Sequence, residues 1–142
     1  MVPHDFKRFP ELANSQMDFY YFDSPHKQIT EDFTARVVRV IDGDTIRVDW
    51  FERDFDFPVR FLNTNATELG EGGIKSKKWL EGRILGEEVM ILIDEKQRVG
   101  RWGRILGEII FNGININQES IDLGFAVPFG QQAVIPKFEN LI

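Results

Sequence analysis

Four charged side chains fall where strands and turns would present them. Asp44 follows a tight turn, Arg60 lies within a strand, Glu68 comes eight residues later in a polar loop, and Arg104 directly precedes another strand. Two carboxylates and two guanidiniums make up a kit for phosphodiester hydrolysis. One carboxylate can hold a hard divalent cation through oxygen, and the other can orient or deprotonate a water. Both arginines can fork onto phosphate oxygens as negative charge builds in the transition state. Spacing along the chain does not bring the four together; the elements that carry them must.

Those elements can be read from hydrophobic period. Residues 35–41 form a strand, and Thr45 to Trp50 alternates with Ile46, Val48 and Trp50 on one face. Between them Asp42-Gly43-Asp44 is a hairpin signal. A third strand turns Phe57, Val59 and Phe61 inward and Arg60 to the opposite face. A Gly-flanked helix is predicted over about 74–85, with Leu80 and Ile84 sharing a face beside Trp79 and Gly86 ending it. Strands follow at 88–94 and 105–111, and Asn112-Gly113 turns the chain into 114–116. A second short helix is predicted with Asn117 as its N-cap, Ile116 and Ile121 as a staple, and Gly124 as its stop. The predicted class is α+β, mainly β: a five-stranded OB-type barrel with flanking short helices.

Composition narrows the function classes. The 142 residues carry a formal net charge of -6, which argues against a tight nonspecific nucleic-acid coat but not against an enzyme with a local basic patch. One basic stretch exists, Lys96, Arg98, Arg101 and Arg104, and taken alone it reads as a solvated loop. The absence of cysteine excludes thiol catalysis, Cys-type zinc sites and disulfide scaffolds. The longest apolar run, 89–93, is far short of a membrane span. No signal peptide or transmembrane segment is read in the chain, so the expected location is cytoplasmic or open, and a monomer is assumed. Residues 1–32, with three prolines, His4, His26 and the cluster Phe19-Tyr20-Tyr21-Phe22, read as an extension that packs its aromatics onto a domain spanning 33–129. A partner-binding arm is the sharper alternative for them. The two histidines are too isolated to suggest a metal site, and 130–142 form a short tail.

Taken together, Asp42-Gly43-Asp44-Thr45, Arg60 with Glu68, Arg101-Trp102-Gly103-Arg104, and the stretch from Asn117 through Gly124-Phe125-Ala126 resemble the staphylococcal nuclease (thermonuclease) family. No single piece is specific; the four in this order, with a helix between the second and third, carry the resemblance. It implies an OB-type barrel with flanking helices, in agreement with the strand reading. It further implies hydrolysis of DNA or RNA with little sequence preference, dependent on a divalent cation (calcium first among them) and leaving a 3′-phosphate. By the resemblance Asp44 binds the cation, joined by the Asn65 amide oxygen and the Ala66 carbonyl. Arg60 and Arg104 correspond to the catalytic arginines, and Glu68 to the glutamate that positions or activates the attacking water. Arg101 and Trp102 stand near the nucleotide, where an aromatic can stack on a base for about 1–3 kcal/mol.

The chain departs from the family pattern in three places. Asn65-Ala66-Thr67-Glu68 replaces the common Asp-Thr-Pro-Glu, so the site has one formal negative charge fewer. The tail leaves no room for the family's long C-terminal helix, and residues 1–32 are extra. A catalytically weak OB-type module that binds nucleic acid or a protein partner is the alternative reading.

Overall fold

The computed structural model describes residues 3–67, 70–100 and 103–128. Five strands follow from alternating apolar residues: β1 (Phe33–Asp42), β2 (Thr45–Asp49) and β3 (Phe57–Phe61), then, beyond the short β4 (Thr64–Ala66), β5 (Glu88–Leu92) and β6 (Ile105–Phe111). Antiparallel pairing runs in the order β3-β2-β1-β5-β6, and parallel pairing of β3 with β6 closes the sheet into a five-stranded mixed barrel. The inward set predicted from period is the one buried: Ile46, Val48, Trp50, Phe57, Val59 and Phe61 are all 5% exposed or less. Side chains such as Val37, Ile91, Ile105 and Ile109 fill the interior completely, each contributing roughly 1.5–3 kcal/mol. The expected OB-type α+β architecture is borne out.

Helix α2 (Gly70–Ile84) caps one end and seats Leu80 and Ile84 in the core. It starts four residues before the predicted Ile74, because glycines at 70, 72 and 73 lower local helix propensity without forbidding the helix. Close packing explains one of them: a Cβ on Gly72 would lie 2.5 Å from Thr67 Cγ2. After β6, Asn112 and Gly113 both take positive φ, as the Asn-Gly turn requires, and lead into β7 (Ile114–Asn115). Helix α3 (Ile116–Asp122) is capped by Asn115, whose side chain accepts from the Gln118 N–H. Asn117 is therefore not the N-cap; its amide is drawn into the core instead. A strand β8 (Ala126–Pro128) pairs antiparallel with β4, forming a two-stranded ribbon that the sequence left as loop.

The N-terminal segment is more ordered than its composition suggests, with helix α1 (Asn14–Tyr20) and a short 3-10 turn, Tyr21–Asp23. Leu12 and Ile29 are the apolar residues it buries, while Phe19, Tyr21 and Phe22 stay exposed, contrary to the expected aromatic packing. Charge holds it down. Glu11, Arg53 and Arg98 are each 5% exposed or less, and Glu11 Oε2 contacts Arg53 Nη2. Arg98 donates to the Ile29 carbonyl through Nε at 2.7 Å and to the Leu12 carbonyl through Nη1 at 3.1 Å. Arg98 thus leaves the basic stretch, where a solvated loop was expected, and becomes a buried tie between segment and barrel. No helix among the described residues is long and apolar enough to cross a membrane.

Candidate active site

The β1–β2 hairpin supplies the first carboxylate. Asp42 pairs with Thr45 across the Gly43-Asp44 turn, and Asp42 Oδ1 accepts the Asp44 N–H at 3.1 Å. Helix α2 lies directly on this turn. A Cβ on Gly43 would fall 1.6 Å from Ser76 Oγ and 2.9 Å from the Ala66 Cβ. Glycine is needed here for space, since its backbone is not left-handed.

Asp44 turns inward and is 1% exposed. Its Oδ2 accepts the Ala66 N–H at 2.8 Å, and its Oδ1 accepts the Thr45 hydroxyl at 3.1 Å. Burial first, then the hydrogen bond with Asp42, push its carboxyl up to about 7; the Ala66 N–H and the Arg60 charge pull the other way. Arg60 reaches the same group from β3, with Nη2 3.4 Å from Asp44 Oδ2. Nη2 also donates to Asn65 Oδ1 at 2.9 Å, while Nη1 donates to the Thr64 and Phe61 carbonyls at 2.6 and 3.0 Å. The guanidinium is thus locked in one orientation beside a buried carboxylate.

Asn65 and Ala66 are placed by the ribbon, Asn65 opposite Val127 and Ala66 opposite Ala126. The missed Asn117 supports that region from below. Its side-chain oxygen accepts the Ile109 N–H at 3.0 Å, and its amide nitrogen donates to the Leu62 and Gly107 carbonyls at 3.1 and 3.2 Å. The buried amide therefore ties β6 to the turn between β3 and β4.

Arg104 comes onto the same outer face by strand register. Arg60 is aligned with Leu106 in the parallel β3–β6 pair, so Arg104 lies two residues back, roughly 7 Å along the strand. It is half-buried and makes no ion pair among the described residues. Of the residues singled out from sequence, Ala66, Asp44, Arg60 and Asn65 are linked in that order by direct contacts, and Arg104 shares the face of Arg60. Glu68, Arg101 and Trp102 lie outside the described residues.

The donor chemistry suits a hard divalent cation. Asp42, Asp44 and Asn65 offer oxygen alone, the type that calcium and magnesium prefer. Burial disfavours the anionic form of Asp44 by more than the Arg60 charge restores. Among the described residues no group of three or more acidic or histidine ligands gathers, so such a site rests on few carboxylates.

Residues 58–140 match the family described as staphylococcal nuclease homologue. An uncharacterized endonuclease of Escherichia coli is 32% identical over 114 residues, covering 77% of this chain and 71% of that protein. Its counterpart in Escherichia coli O157:H7 is 31% identical over the same shares. An uncharacterized protein of Methanocaldococcus jannaschii is 28% identical over 149 residues, covering 82% of this chain and 72% of that one.

Proposed function

The chain belongs to the family of staphylococcal nuclease homologues, a nuclease family, and from that membership we propose that it hydrolyses phosphodiester bonds of DNA or RNA with a divalent cation, calcium first, and little sequence preference. The observation that carries this reading is the convergence of Asp44 from the β1–β2 turn, Arg60 from β3, and Asn65 and Ala66 from β4 onto one spot. Asp44 and Asn65, with the Ala66 carbonyl, would hold the cation, which when bound draws negative charge from a phosphoryl oxygen. Arg60 and Arg104, on one face, stabilise the charge that builds on the phosphate. Glu68 takes the proton of the attacking water as its oxygen bonds to phosphorus. The 5′ oxygen leaves and gains a proton, so the product keeps its phosphate on the 3′ side. Arg101 and Trp102 contact the nucleotide. The locked Arg60 supports a preorganised site, because an anion-binding group already in place loses little freedom when charge develops.

One feature favours a second reading. Arg60 spends Nη1 on two main-chain carbonyls and Nη2 on Asn65 and Asp44, a network that is satisfied without substrate. A module that binds nucleic acid and does not cut it would have such a group. Purified protein incubated with labelled DNA and RNA, with calcium and then with chelator, separates the two. The proposal expects cleavage to 3′-phosphate ends that stops with chelator. Binding without cleavage in calcium, magnesium or manganese would overturn it in favour of the module.

A further inference from the structure

An open groove of about 670 Å³ separates the N-terminal segment from the barrel. Its size lies within the roughly 300–1,000 Å³ usual for ligand sites. Four cations line it: Lys7 and Arg8 from the segment, Arg47 from β2, and Arg104 from the edge of β6. Two acids also line it, and both are already engaged. Asp56 is paired with Arg47 at 2.6 Å, and Glu11 is buried against Arg53. Lys7, Arg8 and Arg104 make no ion pair among the described residues, and Lys7 and Arg8 are exposed. On a chain of net charge -6, this is a local concentration of positive charge, with Arg8 over the Phe9 ring at 5.2 Å and the Asp5 carboxylate accepting the Lys7 and Arg8 main-chain N–H groups.

Aromatic rings accompany the cations. Phe6, His26 and Phe55 line the groove as a run, with centroid separations of 6.3 Å from Phe6 to His26 and 5.2 Å from His26 to Phe55. Cations that follow a backbone, beside rings on which bases stack, are how proteins hold single-stranded nucleic acid. The groove is also continuous with the candidate active site. Arg47 is aligned with Pro58, a groove residue, and Thr45 with Arg60, so groove and site are neighbouring steps along the same two strands. Arg104 lies on the face shared by both.

We propose that this groove holds the single-stranded flank of a nucleic-acid substrate, with Lys7 and Arg8 contacting its phosphates, so that the N-terminal segment is part of the substrate-binding surface. The inference rests on the nuclease reading for its substrate class. It differs from that reading in what it requires of the first ten residues.

The test measures binding of a labelled single-stranded phosphorothioate oligonucleotide, which resists cleavage, to the wild-type chain and to the Lys7→Ala/Arg8→Ala variant across a salt series. Thermal melting of both proteins checks that the fold is kept. Phosphate contacts in a single strand contribute about 0.7 each to the salt slope, so the variant is expected to lose roughly 1.4 in slope. Affinity is expected to fall about tenfold at low salt. A second variant, Lys7→Arg/Arg8→Lys, keeps the charge and should bind like wild type. Equal slopes in wild type and the alanine variant overturn the proposal, as does a loss seen with duplex alone or no binding by wild type. Wild-type cleavage is scored separately on an ordinary oligonucleotide. Binding that depends on Lys7 and Arg8 without any cleavage would support the groove and sink the nuclease reading.

Discussion

Replacing Arg60 by Ala removes the proposed phosphate-binding group and also a structural one, since the guanidinium holds two carbonyls and an amide and sits 3.4 Å from the Asp44 carboxylate. From its outward position on β3, the sequence suggests that folding would hardly notice the loss. The contacts say otherwise: a buried carboxylate left without its cation costs about 1–3 kcal/mol or more. Arg60→Ala should therefore lower both turnover and melting temperature. Arg104→Ala should cut turnover by about 10²–10³, with melting almost unchanged because no ion pair is lost among the described residues. Turnover and melting measured on both variants check this, and equal melting losses would contradict it. Asn65→Asp adds a carboxylate to those of Asp42 and Asp44 and should tighten calcium binding, since carboxylate charge sets affinity in such sites. Calorimetric titration reads it directly; equal affinities would remove residue 65 from the cation's neighbours.

Between elements, the contact that sets the site is the one between the β1–β2 turn and α2. It is so close that Gly43→Ala must push Ser76 aside, and overpacking of this kind costs roughly 1–3 kcal/mol. Ser76 Oγ is itself buried without a hydrogen-bond partner, so Ser76→Ala alone should be close to neutral. Combining the two should recover part of the loss, because the hydroxyl at 1.6 Å is gone while the Ala66 Cβ at 2.9 Å remains. Urea midpoints for the two single variants and the double variant test this. Strict additivity would mean that the turn and helix do not meet as described.

At the scale of the whole molecule, the N-terminal segment is bound by buried charge. Glu11 faces Arg53 and, at 4.0 Å, Arg98, and burial lowers the affinity of both arginines for their protons while Glu11 raises it. Removing one member of a buried ion cluster leaves the others uncompensated and typically costs 3–5 kcal/mol. Glu11→Ala should lower unfolding stability by about that amount, measured by denaturant titration. A change within ~0.5 kcal/mol would mean that the buried charge cluster does not hold the segment to the barrel.

Strand period, turn chemistry and the order of short motifs were enough to identify the barrel and the inward face of β2 and β3. These signals are local: alternation over five residues or an Asn-Gly pair acts within a few bonds of where it is read. Features that depend on residues far apart in the chain were not legible. Asn117 looked like a cap because asparagine favours caps, yet a neighbouring asparagine took that place and Asn117 found carbonyls 55 and 10 positions away. The β4–β8 ribbon was invisible because each of its strands is three residues long and has the other as its strand partner, about sixty residues away. Arg98 read as a surface charge until the carbonyls of Leu12 and Ile29, 86 and 69 residues away, came to meet it. Burying a charge requires partners that satisfy its hydrogen bonds, and where those partners lie is a property of the folded chain.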